Sequence, residues 1–297
     1  MIYDIAGVLV DFSGDNDFLK ARSSIFEAKD QSVHTSASDL SITAIMTDTI
    51  YIPDGELILE ELSKWYRKIK PEEGLYITMH SKRGNVVDTI LETDPGWRNV
   101  VIRYQKSDLR FPVKENEYVN WNQYHIFQLA GIAFRNRTLS MDSITIHSSS
   151  FSIDGRGIIV SAPSGTGKST HTRLWKERYA DRVMLINDDR PLIRFLNGVP
   201  MLCGTPWSGS TDIYMDTKVP LSSIVMLERA AENSIRRLDT CSALQMLMPR
   251  CFLPYFDESL MNTAMKVVER LVCTVPIYLL RCRPDYEAVE LVQRCVS

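Results

Sequence analysis

Residues 161–170 read SAPSGTGKST. Gly165 and Gly167 bracket Thr166, and Lys168, Ser169 and Thr170 follow at once. Glycines at those places can take positive φ and curl successive N–H groups into a nest for an anion. A helix beginning near Lys168 aims its unbonded N–H groups at the same place. The lysine would then reach β- and γ-phosphates, and the Ser169 hydroxyl would offer an oxygen to Mg²⁺. The usual phosphate-loop pattern, G-x-x-x-x-G-K-[ST], opens on glycine where this chain has Ala162. Alanine adds a single Cβ, so the loop can still approach a phosphate, while Pro163 removes one N–H donor. The expected ligands are ATP and Mg²⁺, although these residues do not separate ATP from GTP. The expected contacts are Ser164, Gly165, Thr166, Gly167, Lys168, Ser169 and Thr170.

A bound triphosphate needs a group to act on it. VMLINDDR (183–190) is a short apolar run ending in Asp188 and Asp189. One helix and a return strand fit between Lys168 and Asp188, which sets both carboxylates beside the phosphates. One acid can hold Mg²⁺, directly or through water; the other can accept or position the proton of an attacking hydroxyl. Residue type does not say which does which. Neighbours on a strand point to opposite faces, so both acids face the phosphates only if the strand ends there. Taken alone, DDRP is also good turn chemistry.

Arg190 is placed to neutralise phosphate charge. Arg173, beyond the first turn of the helix, reads as a surface residue. GTPWSG (204–209) is a second small-residue loop, with hydroxyls at Thr205 and Ser208. Its Trp207 would stack on a base, wall off water or pack in the core. His34, His80, His125 and His171 read as structural or surface residues.

These residues need elements to hold them. RGIIVSA (156–162) is a strand running into the glycine-rich loop, and KSTHTRLWKERYA (168–180) has a helix pattern. SITIH (143–147), SFSID (150–154), SSIVML (222–227) and PIYLL (276–280) read as strands. PLIRF and VPMLC flank Asn197-Gly198, a hairpin with a type I′ turn. Residues 120–137 carry aromatic residues at helical spacing. DESLMNTAMKVVERLV (257–272) opens on the N-cap Asp257, and DYEAVELVQRCV closes the chain as a helix. Further upstream, TDTIYI, LYITMH and NVVIRY are strand-like, while ELILEELSKWYRKI reads as a helix or as strand. The expected organisation is a smaller β-rich N-terminal domain over 1–115 and a kinase-like domain over 116–297. The expected fold class is α/β in the mixed α+β sense.

Net charge is −3 over 297 residues, which weighs against a nucleic-acid binder dominated by phosphate contacts. No apolar run reaches the roughly 18 residues a membrane span needs, and MIYDIAGVLVDF lacks a basic leader. A cytoplasmic protein without nucleic-acid or membrane partners is expected. The six cysteines form no CxxC pair and read as small buried hydrophobes.

Together, Ile146-His147, SFSIDGRGIIVSAPSGTGKST and LINDD resemble the C-terminal domain of HPr kinase/phosphorylase and the wider phosphoenolpyruvate-carboxykinase-like nucleotide-binding group. The resemblance covers about residues 120–297, is detailed only as far as Asp189, and leaves 1 to about 115 uncovered. It implies a P-loop kinase core of that fold, and it implies an active-site role for His147: orienting the phosphate or the Asp pair, or stabilising charge as an imidazolium. Downstream, the HPr kinase's own signature is replaced by CGTPWSGS (203–210). That is more similar to HPr-kinase-related proteins that accompany peptide-modification gene sets, some of which phosphorylate serine in a ribosomal peptide.

The expected activity is γ-phosphoryl transfer from ATP to a hydroxyl, foremost a serine of a peptide or protein. Asp188, Asp189, His147 and Lys168 would be catalytic, and Ser169, Asp188 and Asp189 would be near the metal. Arg190 would join the nucleotide contacts. Two alternatives stay open: a small-molecule hydroxyl kinase, and a nucleotide-binding regulatory module without an acceptor. A carboxykinase is not expected, because the chain is short for that group and lacks a matching second-metal site. The residues leave a homo-oligomer open.

Overall fold

The computed structural model describes residues 1–29, 37–60, 63–80, 86–114, 116–209 and 211–296. His34 and Ser210 lie outside them. The chain forms two compact units, Met1–Thr138 and Leu139–Ser297, with the boundary later than the expected 115/116. Both mix helices and strands, and the molecule carries several sheets.

The first unit contains β1 (Ile2–Ile5), β2 (Val8–Ser13), α1 (Asp17–Ser23), β3 (Leu40–Met46), β4 (Gly55–Glu60), β5 (Lys64–Lys68), β6 (Leu75–His80), β7 (Val87–Thr93), β8 (Asn99–Tyr104), β9 (Arg110–Lys114), β10 (Glu117–Asn120) and nearly all of α2 (Trp121–Leu139). Eight strands make one sheet in the order β1-β2-β3-β8-β7-β6-β5-β4. Alternation builds its core: Val8, Val10 and Phe12 of β2 and Leu40, Ile42 and Ala44 of β3 are buried, with less buried residues between.

Two expectations change here. TDTIYI is not a strand: β3 ends at Met46, and Thr47 turns the chain with its hydroxyl on the Thr49 carbonyl, ahead of Pro53. Its β-branched residues carry strand propensity without a neighbouring ladder. ELILEELSKWYRKI resolves to strand, as β4 and β5 pair antiparallel. The helix expected over 120–137 forms as α2, capped by Asn120, whose Oδ1 accepts from Asn122 N at 2.9 Å.

The second unit holds β11 (Ser143–Thr145), β12 (Ser148–Ile153), β13 (Arg156–Ser161), α3 (Lys168–Tyr179), β14 (Val183–Asp189), β15 (Leu192–Leu196), β16 (Val199–Cys203), β17 (Lys218–Arg229), β18 (Ser234–Arg237), α4 (Thr240–Leu247), α5 (Glu258–Thr274), β19 (Ile277–Cys282) and α6 (Tyr286–Val296). The β15–β16 hairpin turns on Asn197 and Gly198, both at positive φ (49° and 83°), as a type I′ turn requires. Asp257 caps α5, accepting from Leu260 N.

The direction of the strands positions everything that follows. β12 is antiparallel to both β13 and β14, so β13 and β14 run the same way. β17 is parallel to β13, and β19 is parallel to β17. The C-terminal ends of β13, β14, β17 and β19, and the N-terminal end of β12, therefore lie along one edge of the sheet. β13 is buried on both faces, which its Ile158-Ile159-Val160 run requires. Ile158 and Val160 meet Trp175 of α3 and Val289 of α6; Ile159 faces the cluster that includes Val268 and Leu271 of α5.

The α3 face contains a polar pair that makes the fold acid-sensitive. Trp175 is fully buried and donates its indole N–H to Nε2 of buried His171 at 3.1 Å. Burial holds the His171 pKa down to about 4. The unfolded chain takes up the proton first, so stability rises with pH across the window from about 4 to the ordinary 6.5 and is lost on acidification. The expected loss between pH 7 and pH 4 is about 3 kcal/mol. Urea unfolding at both pH values should show that slope, and His171→Gln should remove most of it. Equal slopes in the two proteins would show that His171 charges without cost in the fold.

Candidate functional site

Gly165 and Gly167 adopt φ of 75° and 121°, and α3 starts at Lys168 with Gly167 as its N-cap. A Cβ at either glycine would meet nothing within 4 Å, so backbone conformation and not crowding calls for glycine. Arg229, at the end of β17, donates to the carbonyls of Gly165 and Thr166 and braces the loop from outside. A cavity of about 380 Å³ opens in front of the loop. His147, Ser164, Gly165, Gly167, Lys168, Ser169, Thr170, Asp188 and Asp189 all line it. Thr166 faces a neighbouring cavity, and Arg190 does not line the central one but pairs with Asp189.

Both acids line one cavity because the alternation of β14 breaks at Asp189, which has φ 147°. That conformation is rare for a residue with a side chain and costs about 1–3 kcal/mol. The two carboxylates have different company. Asp188 is ringed by hydroxyls: Ser169 Oγ donates to both of its oxygens at 3.0 and 3.1 Å, Thr211 Oγ1 donates at 2.7 Å, and Ser149 Oγ also donates. Ser149 stands directly opposite Asp188 in the β12–β14 ladder, so the two share a face. Asp189 instead meets cations and an imidazole: His147 Nδ1 lies 3.2 Å from Oδ1, and Arg190 Nε lies 3.1 Å from Oδ2.

His147 sits between Asp189 and Lys168, with its Nε2 3.0 Å from Lys168 Nζ. An ammonium only donates and a carboxylate only accepts, so the pairing fixes the neutral tautomer with hydrogen on Nδ1. Burial, then the charge of Lys168, lowers the His147 pKa, while Asp189 opposes the shift. Burial likewise lowers the Lys168 pKa, opposed by Asp188 and Asp189. The ring thus bridges Lys168 and Asp189. Lys168 also donates to the Ala162 carbonyl at 3.1 Å. Arg173 is a surface residue paired with Glu177, as expected.

GTPWSG is a brace. Asn187, fully buried, donates to the carbonyls of Thr205 and Trp207, and Thr205 Oγ1 donates to the Arg190 carbonyl at 2.8 Å. Gly209 N donates to the Asp188 carbonyl, and Gly209 lines the cavity. A Cβ at Gly204 would strike the Met215 carbonyl at 1.8 Å, so only glycine fits. Trp207 is buried and packs in the interior.

Ser149, Thr211, Arg229 and Arg250 escaped sequence reasoning: Arg229 and Arg250 are remote in sequence from the loop, and Ser149 and Thr211 are ordinary hydroxyl residues until the fold turns them toward Asp188. The donor set suits Mg²⁺: Ser169 Oγ, Asp188 and Thr211 Oγ1 are hard oxygens in contact, and Mg²⁺ takes its remaining ligands from water and phosphate. Among the described residues no cluster of three or more His, Cys, Asp or Glu forms a self-sufficient metal site.

Further cavities adjoin the central one, among them about 440 Å³ outside Ser164, Gly165 and Thr166. About 290 Å³ lies beyond Gly167 and Thr170, walled by Leu227, Arg229, Cys282 and Pro284. About 280 Å³ lies beyond His147 and Ser164, walled by Pro249, Arg250, Cys251 and Phe252. The former of these two shares Gly167 and Thr170 with the central cavity, and the latter shares His147 and Ser164 with it. Among the described residues no helix is long and apolar enough to cross a membrane.

No family model matches the chain, and no curated protein matches it. One similar solved structure is the Hpr(Ser) kinase/phosphatase from Coxiella burnetii, at TM-score 0.29 and 13% identity, covering 51% of this chain and 95% of that one. A likeness at that level does not establish a family.

Proposed function

We propose that this chain is an ATP-dependent phosphotransferase with an HPr-kinase-like P-loop core, moving the γ-phosphoryl group to a hydroxyl, foremost a serine of a peptide or protein. One observation carries the reading: across a single cavity from the glycine-rich loop stand two carboxylates, one bonded to Ser169 and the other to His147. Pure nucleotide binding needs the first and has no use for the second.

The loop and the start of α3 hold the phosphates, and Lys168 lies against the β- and γ-groups. The nucleoside end lies toward Leu227 and Pro284, past Thr170. Ser169 and Asp188 would hold Mg²⁺, which would offset phosphate charge. Asp189 takes the proton of the attacking hydroxyl. The new O–P bond forms as the bond from γ-phosphorus to its bridging oxygen breaks, and ADP leaves with that electron pair. Catalysis rests on positioning and charge neutralisation.

The test is single-turnover transfer from γ-labelled ATP to serine peptides and to small hydroxyl compounds, with and without a chelator. Label should move to an acceptor, and removing Mg²⁺ should abolish the movement. ATP retained with no transfer to any acceptor would instead make the chain a regulatory module.

A further inference from the structure

We infer that the cavity beyond His147 is the acceptor subsite, and that Arg250 selects acceptors whose hydroxyl lies next to an anionic group, a carboxylate or a phosphate. The inference rests on the phosphotransfer reading and adds to it the chemistry of the acceptor.

The position of this cavity decides its role. It meets the phosphate cavity at His147 and Ser164 and shares no lining residue with the cavity beyond Thr170. An acceptor entering there arrives beside Asp189, the carboxylate that His147 orients. Backbone bonds fix the wall. His147 N donates to the Arg250 carbonyl at 2.7 Å, and Phe252 N donates to the Thr145 carbonyl at 3.0 Å. Ile146 and Cys251 form a bridge between these bonds. Arg250 ends a short 3-10 turn, Met248–Arg250, and Cys251 then bridges to Ile146, so backbone bonds anchor Arg250 beside the segment carrying His147.

The wall has one cation and one ring. Phe252 presents its face to the Arg190 guanidinium, 5.6 Å from the ring centroid, and lies 6.5 Å from the His147 ring. Arg190 is already paired with Asp189. Among the described residues no carboxylate pairs with Arg250. The half-buried Arg250 guanidinium acts on both Lys168 and His147, and with Lys168 and Arg190 it sets three cations against Asp188 and Asp189, an excess that an anionic ligand offsets. The cavity volume suits a small hydroxy acid, or one serine with an acidic neighbour. Cys251 lies behind, its thiol buried and pushed up to about 12, so it does not act as a nucleophile there.

The test compares matched acceptors on the full-length protein: serine peptides with Asp or Glu next to the serine against the same peptides with Asn or Gln, and free hydroxy acids against their amides. The acidic member should win by about ten- to a hundred-fold in kcat/KM, the range of one charge-assisted hydrogen bond. Arg250→Gln should erase that preference, leave amide acceptors and the KM for ATP unchanged, and Arg250→Lys should restore part of it. The series that transfers, peptide or free acid, identifies the source. Binding gives a second readout: an acidic peptide with alanine for serine should bind wild type in the presence of a non-hydrolysable ATP analogue, and bind Arg250→Gln about tenfold or more weakly. Transfer that treats acid and amide alike, or an Arg250→Gln protein that keeps the preference while its KM for ATP rises, would overturn the inference and leave the phosphotransferase standing. No transfer to either series overturns both.

Discussion

Lys168→Ala should cost about 10³-fold in kcat/KM for phosphoryl transfer, the upper end for removing one preorganised donor from a developing charge. The residue starts α3, its side chain is half-buried, and among the described residues it hydrogen-bonds His147 Nε2 and the Ala162 carbonyl. The fold does not depend on those contacts, so the thermal midpoint should move by no more than a few degrees. The variant has a second signature. Lys168 is one of the charges that lower the His147 pKa, so its removal should let that value rise toward 6.5, visible in the ring-proton titration by NMR. In wild type the ring stays neutral through neutral pH, and the acid limb of activity falls below 6.5; residual activity in the variant should show that limb at higher pH. Full transfer by Lys168→Ala with acceptor present would sink the assignment. A silent variant whose His147 pKa has not moved would mean that the 3.0 Å contact is absent in solution.

The loop, α3 and the Asp pair are legible in the sequence because they follow one another closely and each has a local physical signature. Glycine marks positive φ at 165 and 167, an apolar run marks a buried strand, and the N-cap Asp257 marks a helix start. What the sequence hides is set by neighbours distant along the chain. Ser149 is one serine among several until the β12–β14 register sets it opposite Asp188. Arg250 is an ordinary arginine until its carbonyl accepts from His147 N and Cys251 bridges to Ile146. TDTIYI shows the converse, since a strand needs a ladder as well as propensity. The His171–Trp175 pair was also out of reach: an i, i+4 contact is readable from helical spacing, but burial deep enough to hold the histidine neutral is a tertiary fact.

Asp189→Asn and Asp188→Asn should fail in different ways, and the difference is what separates a base from a metal-side ligand. Asp189→Asn keeps the shape but removes the proton acceptor, so kcat should fall by about 10²–10⁴-fold while the Mg²⁺ concentration for half-maximal activity stays put. His147 loses its anionic partner, so its pKa should fall further. Asp188→Asn instead places an amide among three hydroxyl donors, from Ser149, Ser169 and Thr211. One oxygen must serve where two did, and the NH₂ faces donors. The half-maximal Mg²⁺ concentration should rise by about ten- to a hundred-fold, the loss seen when metal-supporting groups are removed, and stability should drop by about 1–3 kcal/mol. Asp189→Gly adds an internal check. Its φ of 147° suits glycine, so this variant should unfold at equal or higher denaturant than wild type while transferring no phosphate. Strain retained at a position that a smaller residue would relieve belongs to a group kept for its chemistry. Were Asp189→Asn to shift the Mg²⁺ dependence and Asp188→Asn only kcat, the two roles would have to be exchanged. Were neither to affect transfer, the carboxylates would be structural and the proton would leave by another route.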